Sequence, residues 1–227
     1  MNCNYVEAKK KIENIPVEIF HGKAVEIMRI RKKFTTADIK ISIEPEFPYL
    51  SVNTVYDNLS LRGRVAYAIM CFERYAVQKY PDKDMSEVAE LMWKIIDDSD
   101  YIDNSAYHYL EIIPEYLFEA EDFISSQFDY LTEQEYNHFK ALLPKPEDDT
   151  DLDTIMHKIY EIAMEYAYTV VELDRPETAE YLQEVSNILK KNSIELPNIA
   201  DIPKYEWDDT HGWGQCFNGR HLSIILN

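Results

Sequence analysis

The densest collection of side chains able to do chemistry lies between Trp207 and His221. Asp209, His211, Cys216 and His221 could each ligate a metal ion or pass a proton. An enzyme reading, a hydrolase or metal-dependent catalyst, would build its site from Asp209, His211 and His221. Their spacing matches no established metal pattern. A turn permitted by Gly212 and Gly214, with Trp207 and Trp213 pinning the tail to the body, explains the same residues more plainly.

Two other constellations carry weaker signals. Asp149-Thr150-Asp151-Leu152-Asp153 has the alternating aspartates of a calcium loop, but Thr154 stands where that loop needs glycine and Tyr160 where it needs glutamate. A solvated linker that caps the next helix is the expected role. His157 and Glu161 are four residues apart, a spacing that could hold a metal or an acid–base pair, but without an HExxH pattern or a third ligand it better suits a surface ion pair on a helix. His21, His108 and His138 show no partner in the sequence. Neither a nucleophile elbow nor a phosphate-cradling glycine loop occurs. The reading therefore assigns no catalytic residue, no metal ligand and no cofactor.

A third pattern suits binding rather than catalysis. Asp97, Asp98, Asp100, Asp103, Glu111, Glu115, Glu119 and Glu121 interleave with Tyr101, Tyr107, Tyr109 and Tyr116. The chain holds 17 tyrosines, against 3 tryptophans and 9 phenylalanines. Tyrosine offers a large amphipathic contact at low rotamer cost, and carboxylates steer toward cations. These eight acids are the candidate partner-binding surface.

Charge narrows the partner. Of 227 residues, 23 are Lys or Arg and 42 are Asp or Glu, giving a formal −19. Residues 1–40 carry +4 and residues 41–227 carry −23. So acidic a body disfavours nucleic acid and anionic lipid as partners, and it suits equally a charge that keeps a helical protein soluble and a face that steers toward a basic protein. Three cysteines without a CxxC motif suggest neither a disulfide framework nor a zinc cage. Lys9–Lys11 precede no apolar run, and Ala66–Phe72 is far shorter than the ~18 residues of a membrane span. A cytoplasmic location without membrane attachment is expected.

These groups must be positioned mainly by helices. Only 5 glycines occur, none of them between Arg64 and His211. That leaves tight hairpins short of the residue they need for φ > 0. Apolar residues recur at helical spacing over Leu59–Tyr80, from Asp84 or Ser86 to Ile96, and over Asp151–Leu173. Pro176 opens a last helix that ends at Lys190-Lys191. Asn58 is the expected cap of the first helix, and Thr132–Glu135 forms a capping box before Leu143. Asn104–Ala120 should kink or split at Pro114. Arg62 and Arg64 are expected to pair with acids at the helix start. Asp38–Glu44 alternates as a strand, and Asn218-Gly219 between apolar flanks signals a hairpin.

The expected fold is a mainly α single domain over 1–227, a multi-helix bundle or array. It would hold a strand-containing segment at 1–57, a helical body at 58–200 and a hairpin tail at 205–227. The N-terminal strand and C-terminal hairpin would form a small β element, and Pro144–Asp153 would link helices.

Ser60-Leu61-Arg62-Gly63-Arg64-Val65-Ala66-Tyr67-Ala68-Ile69-Met70-Cys71-Phe72-Glu73, Tyr107–Phe118, His211-Gly212-Trp213-Gly214 and Leu222–Leu226 together resemble the small acidic helical immunity proteins of bacterial polymorphic-toxin and contact-dependent inhibition systems. The resemblance covers under a third of the chain and fixes no fold. It implies a cytosolic protein that binds a cognate toxin domain, often a basic nuclease, and covers its active site, and it brings no catalytic residues. The enzyme reading at the tail and a homo-oligomer sharing helix faces stand as alternatives.

Overall fold

The computed structural model describes residues 55–56, 58–99, 104–119, 121–165, 176–203 and 212–227, all within a unit spanning Tyr49–Asn227. Its elements are α1 (Leu61–Lys79), α2 (Ser86–Asp97), α3 (Ser105–Leu110), α4 (Pro114–Leu117), α5 (Glu133–Leu142), α6 (Thr150–Met164) and α7 (Pro176–Lys191). Short 3-10 turns follow at Ile199–Asp201 and Gly219–Leu222. The fold is mainly helical, and no strand occurs among the described residues. The expected strand at Asp38–Glu44 lies outside them.

α1 is the centre. Its residues from Leu61 to Phe72 are buried on every side, as expected of a helix enclosed by others rather than laid on a surface. Ala66, Ala68 and Ala76 present little bulk, which lets α6, α7 and α2 pack around it. Ser60, rather than Asn58, caps it: its Oγ accepts the Gly63 N–H at 3.1 Å. The Leu61 and Arg62 N–H groups donate to the carbonyls of Gly212 and Trp213, both at 3.0 Å. The C-terminal tail thus satisfies donors that a helix start leaves open. Gly212 and Gly214 take φ of 91° and 82°, a backbone that other residues rarely adopt, and a Cβ at Gly214 would collide with Ser60.

The remaining helices begin and end where their residues dictate. Pro114 has no N–H to donate, so the expected helix over 104–120 divides into α3 and α4, with Pro114 opening the second. Thr132 and Glu135 form the expected capping box of α5. Asp149 caps α6 by accepting the Leu152 N–H, and also accepts the Tyr75 and Tyr80 hydroxyls. Asp151 is held by Lys191 and Asn192. The calcium-like aspartates therefore do capping and tethering work, and only residues 144–149 of the expected linker lie outside a helix. α7 closes without glycine, as Ser193 takes φ 58° while the Ile194 N–H reaches back to the Leu189 carbonyl at 2.9 Å.

The expected C-terminal hairpin is absent. Asn218 has φ −74°, whereas the two-residue hairpin turn needs φ > 0 there. Its side-chain oxygen instead accepts the Arg220 N–H at 2.9 Å and caps the 3-10 turn Gly219–Leu222. Gly219 is required for closeness, because a Cβ there would enter the ring of Trp93. The small β element is thus not supported, and the tail from Gly212 onward is a strap over α1 and α2.

Candidate functional site

The strap is fastened by one carboxylate. Glu73 is fully buried on α1 and accepts from Trp93 Nε1 at 2.8 Å, from the Ser223 hydroxyl, and from the Ile224 N–H at 2.7 Å. Burial pushes its pKa up, although these donors pull the other way. His221 is exposed, and its Nδ1 lies 2.8 Å from the Asn218 carbonyl. Asp209 and His211, its two suggested site partners, lie outside the described residues. Cys216 is exposed and Cys71 is buried.

The acidic stretch is distributed over several tasks. Asp97 ends α2, and Asp98 accepts from the Ser105 hydroxyl at 2.6 Å. Asp100 and Asp103 lie outside the described residues. Glu111 accepts the N–H groups of Asp129, Tyr130 and Leu131, so it holds the loop that precedes α5. Glu121 is exposed, and its carbonyl accepts from Lys140 Nζ, which also meets the Tyr136 hydroxyl.

Around α4 the acids and tyrosines do converge. A cleft of about 540 Å³ lies between α3, α4 and the 127–130 loop, lined by Tyr107, Tyr116, Tyr130, Glu111, Glu119 and Asp129 among others. A second cleft, of about 320 Å³, is lined by Glu115, Glu119, Glu147 and Tyr116 with Phe118 and Pro146. Tyr116 and Glu119 belong to both, and Tyr116 is 40 % exposed, so it forms the ridge between them. Neither lining contains Lys or Arg. A larger cleft of about 760 Å³ between α2, α3 and α5 is of mixed charge, with Lys94, His108 and His138 beside Glu87, Glu90 and Glu135. There His138 Nε2 sits 3.2 Å from Glu87. His108 stacks on Tyr130, and burial lowers its pKa.

Behind the ridge, α4 is tied to α6. Asp153 Oδ1 accepts the Glu115 N–H at 3.0 Å, and His157 Nε2 lies 3.0 Å from Glu115 Oε2. The His157 Nδ1 is 3.7 Å from Asp153 Oδ2, and the Tyr116 ring packs on the imidazole at 5.5 Å. The Asp153 carboxylate, helped by Glu115 and Glu161, holds His157 above its ordinary pKa despite burial. Glu161, the partner expected from spacing, pairs with Lys158 at 2.6 Å. Glu115 and Asp153 are 38 positions apart, so only the fold brings them to His157. Asp153 stands four residues before His157, but the spacing singled out in the sequence was that from His157 to Glu161.

Arg62 and Arg64 are buried on α1. The Arg62 guanidinium donates to the Ile95 and Ile96 carbonyls at 2.9 Å, closing the C-terminus of α2 where a cation is favoured. Arg64 donates to the Thr178 hydroxyl on α7.

Among the described residues no helix is long and apolar enough to cross a membrane. No family model matches this chain, and no match is found among curated proteins or solved structures.

Proposed function

We propose that the chain is a non-catalytic binding protein that grips a basic partner protein on the face around α4, in the manner of an immunity protein covering a basic toxin domain. The observation that carries this reading is the pair of adjoining clefts that share Tyr116 and Glu119 and have no Lys or Arg in their linings. Exposed Tyr116 supplies apolar contact at little entropic cost. Glu119, Asp129 and Glu147 supply the charge that draws a cationic surface in and sets its orientation. A formal charge of −19 extends the attraction beyond contact range at low salt.

The test is capture from the source cell at low salt, followed by binding kinetics with the purified partner. The expected partner is a single basic protein that salt releases and whose activity is inhibited in the complex. Glu119→Lys combined with Asp129→Lys should slow association and flatten its salt dependence, while Tyr116→Ala should speed dissociation. A captured partner that binds these variants as well as the parent removes this face from the account.

A further inference from the structure

We propose that Glu115, Asp153 and His157 form a binding site for a divalent transition-metal ion, Zn²⁺ being the ion whose ligand preferences they match. One ligating atom from each side chain lies within 4.8 Å of the other two. Metal–ligand distances near 2.1 Å in a tetrahedral site place donors about 3.4 Å apart. His157 Nδ1 and Asp153 Oδ2, 3.7 Å apart, stand near that spacing, whereas Glu115 faces the other ring nitrogen and must swing round to join them on an ion.

Glu115 is 64 % exposed and has solvent to move through, whereas Asp153 and His157 are mostly covered, at 17 % and 19 %. Asp153 is oriented by the Glu115 N–H on Oδ1, which leaves Oδ2 turned toward the imidazole. Outer hydrogen bonds of this kind fix a ligating carboxylate in place. The Tyr116 ring limits rotation of His157 from the other side.

The donor set selects the class of ion. An imidazole nitrogen with two carboxylates suits Zn²⁺ and its neighbours, whereas Mg²⁺ and Ca²⁺ prefer oxygen alone. Three protein ligands leave a fourth position for water or for a donor from a bound molecule. Glu115 also lines the smaller acidic cleft, which gives that fourth position access to solvent. The surrounding Glu119 and Glu147 raise the local cation concentration. Nothing in this argument depends on the partner-binding reading.

Protons compete with a metal ion for the same imidazole and carboxylate atoms, so metal binding is coupled to proton release. The experiment is calorimetric titration of Zn²⁺ into the full chain, stripped of metal and free of any affinity tag, at neutral pH with excess Mg²⁺ present. The expected result is one Zn²⁺ per chain with proton release. Glu115→Gln and His157→Ala should each weaken it by about tenfold or more. Co²⁺ in place of Zn²⁺ should give visible absorption bands that His157→Ala abolishes. Glu115→Gln alters an exposed group, so it carries the test if His157→Ala fails to fold. Absence of saturable uptake, or uptake undiminished in folded Glu115→Gln, overturns the site and leaves the trio an ion-paired link between α4 and α6.

Discussion

The C-terminal strap and the α4 face are both rich in polar and aromatic residues, yet they use them in opposite ways. In the strap the polar groups are consumed by the fold. Ser223 and Ile224 donate to Glu73, and the carbonyls of Gly212 and Trp213 accept the first donors of α1. On the α4 face, Glu119, Asp129 and Glu147 line open clefts, and Tyr116 stands exposed between them. A buried polar group must be paired, so it becomes part of the structure. A solvated acid pays no such cost and remains available to a partner. Aromatic and acidic composition alone does not separate the two cases, whereas burial does.

The sharpest way to break this contrast is to remove the carboxylate that fastens the strap. Glu73→Ala would leave the buried Trp93 and Ser223 donors and the part-buried Ile224 N–H without their acceptor, next to a new cavity. A loss of about 3 kcal/mol is expected, read from urea unfolding. Glu73→Gln separates charge from packing. The Glu73 pKa is raised in the folded state, so that state binds more protons just above the ordinary carboxylate range. Stability should therefore fall as pH rises from that range through the raised value, and Glu73→Gln should flatten this slope. A parent whose unfolding midpoint rises with pH over that interval would contradict the assignment.

Gly219→Ala acts on the same strap from its outer side. The added Cβ has no room beside the Trp93 ring, so either the tail lifts or the indole turns. The expected cost is about 2 kcal/mol, together with a change in tryptophan emission. A variant as stable as the parent with unchanged emission would show that the strap does not seat on α2 in solution.

How far the sequence foretold this contrast depends on the range of the interactions. The helices were legible because their periodicity, Pro114 and the Thr132–Glu135 box act within a few residues. The strap was misread because Asn218-Gly219 is locally a hairpin signal, while Trp93, 126 positions away, decides what the glycine is for. Glu73 drew no attention for a similar reason, since its acceptor role depends on Ser223, 150 positions away. The acidic stretch was not resolved residue by residue. Nothing local distinguishes Glu111, committed to the 129–131 backbone, from Glu119, which faces the clefts. The link from Glu115 to His157 was invisible because helix spacing pointed to Glu161 instead.

A smaller effect sharpens the comparison from outside the strap. Thr132→Ala removes one half of the capping box that starts α5, beside the mixed-charge cleft, and should cost about 1 kcal/mol. The box also fixes a pH dependence of opposite sign to that of Glu73. Backbone and hydroxyl hydrogen bonds from Thr132 hold the Glu135 carboxyl below its ordinary pKa. Its contribution is present above the unfolded value and is lost as pH falls through the lowered one. Thr132→Ala should thus shrink the loss of stability in acid, read from unfolding midpoints below the ordinary carboxylate range. An unchanged acid limb would mean that the box does not persist in solution.

The smallest effect on stability belongs to the residues proposed to matter most for binding. Glu119→Lys with Asp129→Lys replaces two cleft-lining acids for which no buried contact has to be broken. Surface substitutions of this kind change stability by roughly 0.5 kcal/mol or less. Relief of self-repulsion in a chain of formal charge −19 favours a slight gain over a loss. Thermal unfolding of the double variant should therefore nearly overlay that of the parent, while its binding to a cationic protein weakens. If the variant unfolds markedly earlier, these acids are committed to the fold as Glu73 is, and the distinction between a consumed strap and an open face collapses. If it overlays the parent and loses the partner, the same two positions show that negative charge in this region is held in reserve for association.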